Sequence, residues 1–362
     1  MRNVCPSRVR LFALVALLSS LAVAVPAHAG QAAGPSTTAQ APASEAPAIR
    51  RWLDVQQLQI SSRFRWYRGT DGRINSSSLQ WSPQVRARLL FDRSGRYSVN
   101  VGTYGGSSIQ SGWNNTGAGL GDFAGTVNVE QLFLQARPND AIEIQFGGLG
   151  MYRGLSTEIT TWDSDTYMAG ERLIVKPGGR VTEVALTTGY LGDRREPNFF
   201  KRADRLGDFN FAQLGLGAHL HPRVEVSGDY TYEDGRDTLR QAVTISLPTP
   251  GRLELQLEAY ERVSPDTAQG FNAYGEVRPH GRLRIGAGVT SIDRRYGGLN
   301  GDKYDDGTRA YGDVNLRLTG DLSLSFFATQ AFATDYAIEN ERRWDIQLNF
   351  NPTARLKRLG VF

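Results

Sequence analysis

Residues 252–259 read Arg252-Leu253-Glu254-Leu255-Gln256-Leu257-Glu258-Ala259. Apolar and polar side chains alternate with a period of two, the repeat of an extended strand whose two faces meet different surroundings. One face is wholly aliphatic and the other carries charges and an amide. The pattern recurs along the chain. Leu58, Ile60, Phe64 and Trp66 alternate with Gln57, Gln59, Ser61, Arg63 and Arg65. Leu79, Trp81, Val85, Ala87, Leu89 and Phe91 oppose Gln84, Arg86 and Arg88, and Trp344, Ile346, Leu348 and Phe350 oppose Arg343, Asp345, Gln347 and Asn349. Sixteen such segments fall between about residue 53 and residue 350, the sixth of them (170–177) the least regular.

The segments predict an antiparallel meander, and the connections divide into two sets. After odd-numbered strands come polar stretches, 68–78, 105–125, 150–169, 192–208, 233–238, 262–270, 293–309 and 334–340, read as long loops. After even-numbered strands come tight turns with turn chemistry, such as Arg137-Pro138-Asn139-Asp140 and Lys176-Pro177-Gly178-Gly179. An even strand number with all long loops at one end is the pattern of an all-β, up-and-down transmembrane β-barrel, apolar outside and polar inside. A sheet in lipid must close, because an open edge would leave backbone groups unpaired. A soluble β-sandwich or lipocalin-like barrel buries its apolar face inside, whereas here the lumen has to take Arg86, Arg88, Glu254 and Glu258, so the apolar face must meet something else, and lipid is the economical answer. Aromatics on the apolar parity also gather in two belts. Trp66, Trp81, Tyr190, Tyr230, Tyr232, Phe271, Phe332 and Trp344 fall near the long-loop ends, and Phe91, Tyr97 and Phe350 near the short turns.

The remaining chain fits an exported protein. Residues 1–29 have a basic start (Arg2, Arg8, Arg10), an apolar run from Leu11 to Val25 and Ala27-His28-Ala29 before Gly30, the features of a cleaved signal peptide. Fifteen residues are short for a helical span. The single cysteine, Cys5, lies in this leader, so the rest of the chain can form neither a disulfide nor a cysteine zinc site. The formal charge of +4 falls close to neutral once the leader is removed, and nothing argues for nucleic acid. Residues 30–52 are an Ala/Pro-rich lead-in, 53–350 the barrel, and 351–362 a tail or the end of the last strand.

With this architecture the chain resembles the sixteen-stranded porins of the bacterial outer membrane. Glu130-Gln131-Leu132-Phe133-Leu134-Gln135-Ala136-Arg137-Pro138, followed by a strand ending in Gly147-Gly148, is similar to a hairpin of specific porins for anionic or sugar substrates. The resemblance implies a water-filled channel in a Gram-negative outer membrane through which small polar solutes diffuse. It further implies contact with outer-membrane lipids, insertion by the barrel assembly machinery, and a homotrimer in which the 105–125 loop could latch a neighbour. Such barrels end in an aromatic on the last strand, here Phe350 or Phe362. The third loop, 150–169, is expected to fold inward, part of Tyr152–Tyr167 carrying Glu158, Asp163 and Asp165 into the lumen.

Strand order predicts the lumen charges. Inward parity puts Arg343 on the last strand, Arg63 and Arg65 on the first, and Arg86 and Arg88 on the second, a basic wall. Opposite lie Glu225 and Asp229 on the ninth strand and Glu254 and Glu258 on the eleventh, an acidic wall blurred by Arg240 and Asp345. Lumen-side glycines, among them Gly215, Gly217, Gly286 and Gly288, are expected to leave open space. Enzyme chemistry finds no footing. His219, His221 and His280 sit at short turns, Gly148, Gly150 and Gly154 precede no helix, and Asp302, Asp305 and Asp306 lack the spacing of a calcium loop. No catalytic residue, metal or cofactor is expected. The alternative is a surface-exposed binding or adhesive barrel without a large open pore.

Overall fold

The computed structural model describes residues 52–70, 74–105, 107–108, 127–155, 167–192, 198–293, 307–333 and 341–362. Its strands are β1 (Leu53–Arg68), β2 (Ile74–Leu90), β3 (Tyr97–Gly105, continued by the short ladder Ser107–Ser108) and β4 (Val127–Asn139). There follow β5 (Ile142–Gly150), β6 (Tyr167–Val175), β7 (Val181–Tyr190) and β8 (Phe211–His221). The second half holds β9 (Val224–Glu233), β10 (Arg236–Leu247), β11 (Leu253–Ser264) and β12 (Ala268–His280). The last four are β13 (Leu283–Ile292), β14 (Gly307–Arg317), β15 (Leu322–Ala333) and β16 (Arg342–Phe350). Each pairs antiparallel with its chain neighbour, and β1 also pairs with β16, from Ile60↔Phe350 to Arg68↔Arg342. The sheet is therefore a closed barrel with no free edge.

The barrel is inside-out relative to a soluble protein. Leu134, Leu186, Leu214, Leu257 and Trp344 are each about half exposed, while Gln80, Ser98, Thr187, Gln213 and Thr290 are almost wholly buried. The period-two pattern has sorted apolar groups outward and polar groups inward, as a lipid-facing wall requires. Trp66 and Trp344 are cross-strand partners on the outer face with ring centroids 5.1 Å apart, so they stabilise the seam where the sheet closes.

Three of the expected long loops are short. The β9–β10 connection, expected over 233–238, is a hairpin through Asp234 and Gly235, whose φ of 44° and 82° are those of a primed turn that matches strand twist. The β11–β12 connection, expected over 262–270, shrinks to residues 265–267, and β1 and β2 leave only 69–73 between them instead of 68–78. In each case the ladder continues past the last alternating apolar residue, because backbone pairing does not need a lipid-facing side chain. The sixth strand runs over Tyr167–Val175 rather than 170–177.

Strands β5, β6 and β7 carry a row of inward glycines in register, Gly147↔Gly170↔Gly189. Gly147 and Gly189 have φ of 132° and 157°, and a Cβ on Gly170 would lie 2.2 Å from the Thr188 carbonyl oxygen. Only glycine lets the backbones approach so closely and leave the regular pleat here. On the outer face of this sector the segment after β7 folds back over the wall. Its two short 3-10 turns (Phe199–Lys201 and Ala203–Arg205) seat Phe199 against Gly148, Leu132, Tyr167 and Ala169. Buried Arg202 ties that segment down through the carbonyls of Tyr167 and Leu191, at 3.1 and 2.6 Å.

At the seam, β16 ends at Phe350 and the chain turns into α1 (Thr353–Arg358). Thr353 Oγ1 accepts from the Leu58 N–H at 2.7 Å, supplying the acceptor that a longer β16 would have offered, and Lys357 pairs with Asp54 at 2.7 Å. Phe350 is thus the aromatic that closes the last strand, and Phe362 lies beyond the helix.

Candidate functional site

A strap enters the lumen and lies on its inner wall. Leaving β5, the chain from Met151 to Leu155 contacts inward-facing side chains on four strands. The Tyr152 hydroxyl donates to Glu183 of β7, and its ring lies where a Cβ on Gly215 of β8 would stand. The Leu155 N–H donates to Ser227 Oγ of β9 at 3.1 Å, and Gln256 Nε2 of β11 donates to the Leu155 carbonyl. Five residues reach at most about 18 Å. Six strand spacings along the wall, from β5 to β11, amount to roughly 29 Å. Leu155 is bound to β9, only four spacings or about 19 Å from β5, so the segment runs along the inner wall in strand order and the Gln256 side chain reaches back to meet it.

The root of the strap is held by Arg172 of β6. Its guanidinium donates to the Gly150 carbonyl at 2.6 Å, to Thr187 at 3.0 Å and to Gln145 at 3.2 Å, and lies 5.7 Å from the Tyr152 ring centroid. Burial, with the Glu183 carboxylate beside it, pushes the Tyr152 phenol up, so it stays a proton donor. Glu183, Ser227 and Gln256 escaped the sequence reading, which had no means of choosing among inward polar residues. Glu158, Asp163 and Asp165 lie outside the described residues, as do residues 1–51 and Asp302, Asp305 and Asp306.

The register places Arg63, Arg65, Arg86, Arg88 and Arg343 on the inward parity of β1, β2 and β16, and Glu225, Asp229, Glu254 and Glu258 on that of β9 and β11. In the half toward the long loops the charges are paired within each wall. Asp345 sits between Arg65, at 3.2 Å, and Arg343, at 2.6 Å, while Arg240 holds Asp229 at 2.6 Å and also reaches Thr231. Nearer the short turns, Arg88 donates to the Gly95 carbonyl at 3.1 Å. Among the described residues Arg86, Glu225 and Glu254 enter no ion pair. Glu276 of β12, facing Glu254 across the ladder, is paired instead with Arg278 and Arg284 at 2.7 and 3.3 Å.

The expectation that lumen glycines leave open space is corrected. Gly215 is covered by Tyr152, Gly286 by Tyr274 and Gly288 by Tyr311, and Gly217 lies against Thr182 and Glu183. Tyr274 and Tyr311 stack with ring centroids 5.8 Å apart, their hydroxyls bound to Asp313 at 2.8 Å and Asn272 at 2.7 Å. A glycine next to an inward tyrosine gives its ring a flat seat on the wall, so the space is occupied. His221 and His280 accept the backbone N–H two residues on, at 3.2 and 3.3 Å, which makes them turn-capping groups. Among the described residues no cluster of His, Cys, Asp and Glu has metal-binding geometry.

No protein-family model matches the chain, and no curated protein matches it. Solved structures do. A variant of the Rh. blastica porin is 12% identical with a TM-score of 0.54, the match covering 83% of this chain and 99% of that one. Pseudomonas aeruginosa OpdO, at 12% identity and a TM-score of 0.53, is matched over 84% and 98%. The low-pH structure of Pseudomonas putida OprB, at 12% and 0.51, is matched over 84% and 93%. At such identity the likeness is one of fold. The chain is a closed, antiparallel, sixteen-stranded transmembrane barrel with the architecture of bacterial porins.

Proposed function

We propose that the protein is an outer-membrane porin, a water-filled channel for passive diffusion of small polar solutes, exported by a signal peptide over residues 1–29. The strap Met151–Leu155 carries this reading, because a chain segment pinned inside a polar lumen narrows a wide barrel toward a filter. In this reading Arg86, with Arg88 beside it, faces Glu225 and Glu254 across the short-turn half of the lumen, β2 lying eight strands from β10, while Arg63, opposite Gln80, stands with Arg65 nearer the long loops. Arg65, Arg343, Asp229 and Glu258 line the same walls, with Asp345 and Arg240 cancelling part of their field. Glu158, Asp163 and Asp165 would continue the strap beyond Leu155. Opposed charges of this kind orient dipolar solutes and disfavour apolar ones. The barrel assembly machinery inserts the chain, and three copies associate.

Planar-bilayer recording of the refolded protein tests the proposal. Discrete ohmic steps are expected, and Arg86→Ala with Arg88→Ala should move the reversal potential in a salt gradient toward cation preference. A folded barrel that never conducts would favour the adhesive reading instead, and a single-barrel mass in mild detergent would count against the trimer.

A further inference from the structure

The short-turn mouth of the lumen is ringed by arginines. Arg96 stands in the β2–β3 turn, Arg180 between β6 and β7, Arg223 between β8 and β9, Arg252 between β10 and β11, Arg282 between β12 and β13, and Arg317 at the end of β14. The register carries the inward parity of the strands out to them. Arg317 follows Tyr311, Asp313 and Asn315 on one face of β14, and Arg282 precedes Arg284 on β13. The Arg317 N–H donates to the Arg282 carbonyl at 2.8 Å, so the two share the last rung of that ladder. Arg223 and Arg252 stand two residues outward of the lumen carboxylates Glu225 and Glu254, and Arg96 two residues from buried Ser98. The Arg180 carbonyl accepts from the N–H of His219, on the lumen parity of β8, at 2.8 Å.

All six side chains are exposed, and among the described residues none has a carboxylate partner. The carboxylates of this end are largely engaged. Glu143 is held by Arg137 at 2.9 Å, Glu276 by Arg278 at 2.7 Å, and Asp313 by Arg284 at 3.0 Å, the three arginines staying about half exposed. Asp92 caps its own turn by accepting from the Tyr97 N–H at 2.9 Å. Glu225 and Glu254 are without such a partner, yet each has an arginine two residues nearer the mouth. Deeper on β2, Arg86 enters no ion pair either, so the excess of positive charge continues inward.

Six of the seven short turns carry one of these arginines. Neighbouring short turns lie two strand spacings, about 10 Å, apart along the rim. That is comparable with the Debye length of about 8 Å at physiological salt, so adjacent charges act as one positive ring.

We propose that this mouth is a basic vestibule that gathers small anions, so the channel favours carboxylate- and phosphate-bearing solutes over neutral or cationic ones of the same size. A guanidinium is a permanent, weakly hydrated cation that binds such oxygens in pairs, and an open ring of them attracts anions without enclosing them. The inference rests on the channel reading and supplies its solute class.

The test is the reversal potential of the refolded protein in planar bilayers, in a two-fold potassium chloride gradient around about 0.01 M, where the Debye length is about 30 Å. Chloride should be preferred. The comparison is a variant with Arg180→Gln, Arg223→Gln, Arg282→Gln and Arg317→Gln, its folding verified by unheated gel mobility. Should the four together prevent refolding, Arg223→Gln with Arg282→Gln is recorded instead. The chloride-to-potassium permeability ratio should fall at least about three-fold in the four-fold variant, the effect of four unit charges about 15 Å from the axis of such a mouth. The two proteins should converge at about 1 M salt, where screening is complete within about 3 Å. Proteoliposomes loaded with gluconate and glucose, of equal size but unequal charge, give a second readout. The wild type should release gluconate faster, and the variant should lose that advantage. A conducting wild type that prefers potassium, or a folded variant with the wild-type ratio, would overturn the inference and leave the channel reading standing. A folded barrel that never conducts would overturn the channel reading and this one with it.

Discussion

Releasing the far end of the strap should widen and destabilise the conducting path. Ser227→Ala removes the acceptor for the Leu155 N–H, held at 3.1 Å, and Gln256→Leu removes the donor to the Leu155 carbonyl. A neutral hydrogen bond contributes about 0.5–1.5 kcal/mol net, so the double variant loses roughly 1–3 kcal/mol of docking free energy. That raises the undocked population by a factor of about 5 to 150. The root stays in place, because Tyr152 keeps Glu183 and Arg172 keeps the Gly150 carbonyl. Single-channel traces should therefore show excess open-level noise and a higher mean conductance, while the folded fraction on an unheated gel is unchanged. A folded double variant with the wild-type conductance distribution and noise would refute the reasoning, since the pinned segment would then not limit the current.

Three further outcomes test the wall. Gly170→Ala places a Cβ against the backbone of the neighbouring strand, where no rotamer can relieve it, and should cost about 1–3 kcal/mol in urea refolding into detergent. Phe199→Ala empties the seat on Gly148 and should open residues 198–210 to protease while the barrel still folds, Phe→Ala at a buried site costing about 3–5 kcal/mol. Thr353→Val should lower stability by about 1 kcal/mol through the lost Leu58 N–H acceptor, whereas Lys357→Gln, breaking an exposed pair with Asp54, should change the urea midpoint by less than can be measured.

The strand count and the two faces were legible because lipid imposes alternation on every spanning segment, and Leu253 to Ala259 states that rule in seven residues. The connections were less legible. Asp234-Gly235 is a hairpin signal in its own right, yet the expectation that every connection at one end be long overrode it. The lumen was hardest to read. A glycine such as Gly286 looks like empty space until the register sets it beside Tyr274, and diagonal neighbours across a ladder depend on stagger that one sequence does not contain. The same holds for Ser227 and Gln256. Each is one polar residue among many on the inward parity, and only the path of the strap selects it.

The glycine row, the strap and the outer cover occupy one sector of the barrel. On β15 the outward positions from Leu322 to Phe332 span about 25 Å of height at the usual tilt, the full apolar band of such a barrel. On β6 the outward positions are Tyr167, Ala169, Glu171, Leu173 and Val175, so the apolar run is interrupted by an exposed carboxylate that accepts from Thr188 at 3.0 Å. Above Glu171 the wall is sheathed by Phe199 and its turns, and below it only about 10 Å of apolar height remains. This sector presents protein where the opposite wall presents hydrocarbon-facing side chains. On the inward face of the same sector stand Gly147, Gly170 and Gly189, in register across three strands. Those glycines bring β5, β6 and β7 close together just below the point where the strap departs. Five residues can reach Ser227, within range of the Gln256 side chain, only if they start from a favourable place on the wall. A Cβ at any of them would push these strands apart and shift that starting point, so these glycines bear on the width of the channel as well as on the packing of the strands.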